Sequence, residues 1–452
     1  MNSMNIIICG AGEVGRHAAD VLGAAGNNIT VIDLRQEKLT ALEEALDVGC
    51  LEGNGVHADV LREAGCDSAD LFLAATGSDE INLLSASIAS GVGAGRSIAR
   101  IHHSVYFEHR GLDYAQHLGV DHLVCPEYAT AVAIAQTLRN PAAIAVERFA
   151  RGHIEMQRLP VNPKASGVGK PLAEAGLPRA VLLAVIERDG HAFIPDAATV
   201  VGHQDIITLV GDVDVFDQAR KLFHNEQAHR QRIMIMGGTA MGVWLSRALR
   251  SRAFSVRLFE PDRTRSDELA EKLSWVTVLR ADPTNPTILD EEQVDQADAF
   301  VALTGDDEHN ILAAARAKSL GAQQAIAVVQ RQTYLHLLEH IGIDRAFSPR
   351  TTAVNQIVQL LRTAPVQHLA TLAEGVADVY DVHVSRSAKA IVGTRLRDLK
   401  SKLPYSVIVA AIQRDQSVFV PGAEDSIEAG DRVILIGASG LETRLRKTFA
   451  TG

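Results

Sequence analysis

The 452-residue chain is 47% hydrophobic and 22% charged, with 44 Lys and Arg against 55 Asp and Glu, a formal charge of −11. That length allows about two to four domains and a sizeable core, while the net negative field repels nucleic acid and anionic lipid. No uninterrupted apolar segment approaches the roughly 20 residues a membrane-spanning helix needs, and MNSMN places no cationic stretch before the first apolar run.

The four cysteines, Cys9, Cys50, Cys66 and Cys125, fall in the first third with neither a C-x-x-C pair nor zinc spacing. They suit a reducing compartment. Cys9, inside an apolar run, reads as a small core residue rather than a reactive thiol.

In chain order, IIIC leads into a glycine turn, Gly10-Ala11-Gly12-Glu13-Val14-Gly15, and then an amphipathic run to Leu22. Short apolar runs recur as ITVID, DVGCLEG, DLFLAAT, RSIARI and DHLVC, with helical patterns between them. Such runs predict strands buried on both faces of a parallel sheet, and the intervening helices complete a doubly wound Rossmann-type domain over 1–125. The stretch 126–150 is amphipathic and broken at Asn140-Pro141, which predicts a crossover helix, a turn and a second helix. Over 151–224, VLLAVIER and ITLVG separated by Gly, Pro and Asp turns predict a small β-rich α+β domain. The polar run HNEQAHRQR predicts a linker at 225–231.

The whole order then starts again. Gly10 and Gly237 are 227 apart, as are Asp33 and Glu260; Thr76 and Thr304, and Asn82 and Asn310, are 228 apart. Pro126 precedes Pro349 by 223, Pro141 precedes Pro365 by 224, and Asp205 precedes Asp431 by 226. The chain is therefore read as α/β, a tandem duplication of a unit of about 225 residues. The second Rossmann-type domain spans 232–348, its crossover helices 349–372 and its small domain 373–452.

In G-A-G-E-V-G the glycines meet three steric demands: a tight turn, close backbone approach to a pyrophosphate, and close helix-on-strand packing. The phosphates would meet the N–H groups of Glu13 and Val14 at the positive end of the helix. Asp33 ends the second strand 18 residues after Gly15, where a carboxylate accepts ribose hydroxyls and repels a 2′-phosphate, favouring NAD(H) or an adenosine nucleotide. Asn54, Thr76 and Arg100 lie where the third, fourth and fifth predicted strands end, at the crevice end of such a sheet, and Arg100 offers a bidentate donor to a phosphate.

The second loop, Gly237-Gly238-Thr239-Ala240-Met241-Gly242, puts Thr239 at the close-approach position, where its Cβ presses on a pyrophosphate. Glu260 keeps the acid on a longer arm, and Val328 stands at the place of Arg100. Two expectations stand for this second loop: a site for a mononucleotide or weaker ligand, or a structural pseudo-domain that binds none. No nucleophile constellation is expected. His102-His103 lacks a third ligand at metal spacing, so no metal site is predicted.

The glycine turn with its acid, the A-T-x-x-D-E-x-N segment, the crossover helix and a β-rich domain ending in G-D-x-x-x-x-x-G together resemble the RCK family of potassium-transport regulators, a KTN domain followed by a TrkA-C domain. The resemblance covers essentially the whole chain, twice over. It implies NAD(H) in the first Rossmann crevice, ATP or ADP at either, and a pocket at Gly10, Gly12, Glu13, Val14, Asp33, Asn54, Thr76 and Arg100. Gly237, Gly238 and Glu260 are the equivalents in the second. It also implies a homo-oligomeric ring (dimer or tetramer), cytoplasmic and held to the inner membrane through a TrkH-like integral-membrane potassium channel or transporter subunit, and no enzyme activity. Two other readings compete: an NAD-dependent dehydrogenase, which needs an acid or base over the nicotinamide, and a redox-sensing DNA-binding repressor, which needs a basic recognition helix.

Overall fold

The computed structural model describes residues 3–107, 112–139, 145–149, 153–224, 230–331, 334–361, 366–372, 376–389, 391–399, 407–414 and 417–450. They fall into two compact units, Met1–Ala135 with His229–Leu361, and Gln136–Ala228 with Arg362–Gly452.

The first unit holds both nucleotide-fold copies. In the first, β1 (Asn5–Cys9), β2 (Asn28–Asp33), β3 (Gly49–Glu52), β4 (Leu71–Ala74), β5 (Ser97–Arg100) and β6 (His122–Val124) form a parallel sheet in the order β3-β2-β1-β4-β5-β6. Helices α1 (Glu13–Ala24), α2 (Gln36–Glu43), α3 (Ala58–Glu63), α4 (Asp79–Val92), α5 (Tyr114–Leu118) and α6 (Pro126–Arg139) alternate with them. The run IIIC is apolar throughout because both faces are covered: Ile6 and Ile8 enter one core, and Ile7 and Cys9 the other. The strand order reverses between β1 and β4, which opens the crevice at the carboxyl ends of those strands.

The second unit holds the small domains. The first has β7 (Ala145–Phe149), β8 (Ile154–Pro160), β9 (Val181–Arg188), β10 (His191–Phe193) and β11 (Ile206–Asp212) in an antiparallel sheet ordered β10-β9-β11-β8-β7, closed by α7 (Val213–Phe223).

The second nucleotide-fold copy repeats the first with β12 (Gln231–Met236), β13 (Phe254–Phe259), β14 (Thr277–Leu279), β15 (Ala299–Ala302), β16 (Ala325–Val328) and β17 (Arg345–Phe347), ordered β14-β13-β12-β15-β16-β17 and all parallel. Its helices are α8 (Ala240–Ala248), α9 (Arg263–Lys272), α10 (Pro286–Glu291), α11 (Asp307–Ser319), α12 (Leu335–Leu338) and α13 (Pro349–Leu361). The second small domain repeats its predecessor as β18 (Val366–Leu372), β19 (Ala377–His383), β20 (Val407–Arg414), β21 (Ser417–Phe419) and β22 (Arg432–Ala438), with a short α14 (Glu442–Leu445).

One expectation fails. The crossover helix forms, but Ala145–Phe149 and Val366–Leu372 are edge strands rather than second helices. Each pairs antiparallel with the strand that follows it, Ala145 opposite Arg158 and Val366 opposite Val382. AVERF and VQHLATL carry β-branched and aromatic residues suited to a half-covered edge, and the ladder they complete outweighs their helical periodicity. The breaks at Asn140-Pro141 and Ala364-Pro365, and residues 225–229 of the expected linker, lie outside the described residues.

In the small domains the aspartate that precedes the last strand, Asp205 in the first and Asp431 of the G-D-x-x-x-x-x-G motif in the second, is a fastening. Asp205 accepts Nε and Nη2 of Arg188 at 2.8 and 2.7 Å and the N–H of Gly202 at 2.7 Å; Asp431 does the same with Arg414 and Glu428. The two small domains share a core in which Ile154, Met156 and Val185 meet Leu372, Val379 and Ile436.

Candidate functional site

The first glycine turn is built by backbone sterics. Gly10 has φ +110°, and a Cβ there would lie 2.9 Å from the backbone of Ala75 and Thr76; a Cβ on Gly15 would meet Gly10 O at 1.8 Å. Gly12 is different: φ is −74° and a Cβ would meet no protein atom within 4 Å. Gly15 is thus required by packing and Gly10 by the turn, whereas Gly12 borders open space. Gly12 is also the N-cap of α1 and supplies no side-chain acceptor, so the first-turn N–H groups are left for an external partner.

That open space is a cavity of about 760 Å³, within the range of small-molecule sites. Gly10, Gly12, Glu13, Val14, Asp33, Asn54, Thr76 and Arg100 all line it. Ala11 and Gly15 do not: the Ala11 N–H donates to Asp33 Oδ2 at 2.8 Å, and Gly15 lies under the turn. Asp33 also accepts the Arg35 N–H on Oδ1 at 3.0 Å, which leaves each carboxylate oxygen a further lone pair for a hydroxyl donor. Asn54 folds back on Val56 N at 3.2 Å. The Thr76 hydroxyl and N–H are both committed to Asn82 Oδ1, at 2.7 and 2.8 Å, so Thr76 lines the cavity with its own donors already engaged.

Arg100 Nη2 reaches Glu127 Oε1 at 3.4 Å, and its buried Nε has no hydrogen-bond partner. A buried guanidinium N–H without an acceptor is costly, and an anionic ligand in the cavity supplies one. The open cradle at Gly12, the uncapped α1 and this orphaned donor all fit a nucleotide diphosphate. His102 is held by Asp79, whose carboxylate takes the backbone N–H groups of His102 and His103 at 2.8 Å each. Among the described residues no cluster of three His, Cys, Asp or Glu could hold a metal.

Burial pushes the Cys9 thiol at the cavity wall up to about 12, and the Cys125 thiol likewise. Both are protonated and unreactive near neutral pH.

The second loop has the same turn, with φ +116° at Gly237 and a Cβ on Gly242 only 2.3 Å from Gly237 O. Its cradle is filled from within. Thr239 Oγ1 accepts the Gly242 N–H at 3.3 Å and so caps α8. Glu260 Oε2 accepts the Gly238 N–H at 3.1 Å, and Arg265 Nε donates to Gly238 O at 2.9 Å. The longer acid and smaller residue compensate: a Cβ on Gly238 would strike Glu260 Oε2 and Leu269 Cδ1 at 2.5 Å. Val328 is buried in β16. Ala240 and Met241 begin α8, Met241 in the core.

Sequence reasoning missed the second copy's share of the first cavity. Gly305, Gln330, Pro349 and Arg350 line it alongside Arg35, Lys38 and Glu127. Helix α13 crosses onto the first copy, where Ala353, Val354 and Ile357 enter the core of α1 and β1, and Arg96 Nη1 donates to Leu360 O at 2.7 Å. The available signal was the pairing of Pro126 with Pro349, since the next residues, Glu127 and Arg350, are oppositely charged.

Two family models match twice each: the TrkA-N domain over residues 6–126 and 233–349, and the TrkA-C domain over 156–224 and 382–450. The chain is 35% identical over 432 residues to a Trk system potassium uptake protein TrkA homolog of Archaeoglobus fulgidus, covering 96% of this chain and 97% of that one. It is 32% identical over 454 residues to TrkA homolog 1 of Methanosarcina mazei, covering 99% and 100%. The solved GsuK channel bound to NAD shares the fold, with a TM-score of 0.62 at 20% identity over 99% of this chain and 79% of that one.

Proposed function

This chain belongs to the TrkA family, and from that premise we propose that it is a non-enzymatic regulatory subunit of a Trk-type potassium uptake system, governed by an adenine nucleotide in the first crevice. One observation carries the reading: at Gly12 the first helix is uncapped and open to a cavity, whereas at Thr239 the same position is self-capped and filled. The GsuK channel, of like fold, binds NAD.

In this reading Glu13 and Val14 N–H groups receive the diphosphate, Arg100 supplies counter-charge, and Asp33 takes ribose hydroxyls. The ligand supplies charge and shape, and no bond in it is broken. The second loop, with Thr239 and Glu260 satisfying their own backbone, serves as a scaffold or accepts a smaller ligand. Because both copies wall the cavity, a nucleotide that binds two arrangements of them unequally shifts the balance between those arrangements. Family membership supports a potassium-conducting membrane partner and a homo-oligomeric ring. Among the described residues no helix is long and apolar enough to cross a membrane, consistent with attachment through such a partner.

The deciding experiment is calorimetric titration of the full chain with NADH, NAD, ATP and ADP, together with Gly12→Ala. Binding that is lost in the variant supports the reading. Absence of binding to the parent, or sustained turnover of NADH with an added metabolite, overturns it.

A further inference from the structure

Arg350 is the second residue of α13, yet its guanidinium serves the other copy. Nη1 lies 2.6 Å from Glu13 Oε2, and both residues line the cavity beside Gly12. A cation in the first turn of a helix opposes the helix dipole, so this placement is poor for α13 itself. Glu13 is 71% exposed and lies at the mouth of the glycine turn, whereas Arg350 is 19% exposed and held in the wall. Holding Arg350 inward therefore does not require burying its partner.

The arrangement is one-sided. Position 13 becomes Ala240 in the second copy and position 350 corresponds to Glu127 in the first, so the mirrored ion pair has no counterpart. The reciprocal contact between α6 and α8 is aromatic, with Tyr128 edge-on to Trp244 at a centroid distance of 5.7 Å. The second copy thus contributes a positive charge to the crevice of the first.

Resting on the reading of the first crevice as a nucleotide site, we propose that Arg350 is a phosphate-contact residue delivered from the second copy, released by Glu13 when a nucleotide polyphosphate binds, and that it sets preference by phosphate charge. Arg100 and Arg350 are each held by a carboxylate, Glu127 and Glu13. A triphosphate replaces the Glu13 carboxylate more completely than the two charges of a dinucleotide, because guanidinium binds phosphate oxygens bidentately and the interaction grows with their charge. Arg350 therefore favours ATP over NADH. Since Arg350 is anchored to α13, the same contact links occupancy to the packing of α13 on α1.

The test is calorimetric titration of the full-length parent, Arg350→Ala and Glu13→Gln with ATP, ADP and NADH, at low and physiological salt. Arg350→Ala is expected to weaken ATP about tenfold or more and NADH about threefold or less, and to flatten the salt dependence for ATP. Glu13→Gln, a change at an exposed side chain, is expected to tighten ATP by several-fold, because the phosphate no longer has to displace a carboxylate from the guanidinium. ATP affinity within twofold of the parent in both variants overturns the proposal while leaving the nucleotide site intact. Equal weakening of ATP and NADH in Arg350→Ala, with Glu13→Gln unchanged, overturns it as well. A parent that binds none of the three removes the underlying site instead.

Discussion

Asn82 Nδ2 donates to the carbonyl oxygen of Arg100 at 2.9 Å while its Oδ1 accepts the Thr76 N–H at 2.8 Å, which staples the ends of β4 and β5 at the crevice. Asn310 makes the same bonds to Val328 and Thr304, each at 2.9 Å. Both asparagines are fully buried, so an apolar substitute strands backbone groups at about 1–3 kcal/mol each. Asn82→Leu and Asn310→Leu should each lower stability by roughly 2 kcal/mol in urea unfolding. Only Asn82→Leu should also weaken nucleotide binding about tenfold or more, because only its strand end carries Arg100. Equal losses of affinity in both variants would count against the first crevice as the nucleotide site.

The three glycines of the first turn separate packing from binding. A methyl on Gly15 collides with Gly10 O, whereas a methyl on Gly12 points into the cavity at an ordinary φ of −74°. Gly15→Ala should therefore destabilise the chain by several kcal/mol or prevent folding. Gly12→Ala should unfold within about 0.5 kcal/mol of the parent while losing nucleotide affinity. Thermal unfolding beside calorimetry reads both, and a Gly12→Ala that binds normally defeats the cradle.

The glycine turn, the acid at Asp33 and the six strands of each copy were legible because each follows from local rules: continuous apolar runs for two-sided burial, and glycine where φ or contact demands it. The strand ending at Arg100 was legible for the same reason. The docking of Arg350 and α13 on the first copy was not, since their partners lie hundreds of residues earlier and a single sequence carries no signal of that pairing beyond the matched prolines. The edge strands at 145–149 and 366–372 were misread because amphipathic periodicity is ambiguous in short segments, and only the neighbouring ladder resolves it. Asn82 was legible only as a repeat position and the last residue of the A-T-x-x-D-E-x-N segment; that its side chain is spent on the backbone of Thr76 and Arg100 and on the Thr76 hydroxyl takes the fold to show.

Leu84 on α4 and Leu312 on α11 stand 228 apart, 49% and 67% exposed. Duplicated apolar positions facing solvent fit contacts between chains in the proposed ring. Leu84→Glu with Leu312→Glu should leave thermal stability within about 1 kcal/mol and shift the mass in light scattering toward the single-chain 48.5 kDa. An unchanged assembly would place the oligomer contact elsewhere.

Burial alone would raise the Asp205 carboxyl, but the Arg188 guanidinium and the Gly202 N–H outweigh it and hold the group below the usual carboxylate range. The folded chain therefore keeps this carboxylate ionised at acidity where the unfolded chain binds a proton. Its stabilisation is complete above the unfolded value, about pH 4, and drains away as pH falls through the lower folded value. Asp205→Asn removes the charge but keeps the shape. With Arg188 40% exposed and partly screened, the variant should lose about 1–3 kcal/mol at pH 7. Its stability should then fall less steeply than the parent's between about pH 5 and pH 2. Calorimetric unfolding of both across that range is the check, and parallel curves would show that the Asp205 carboxylate is not the group whose protonation loosens the small domain.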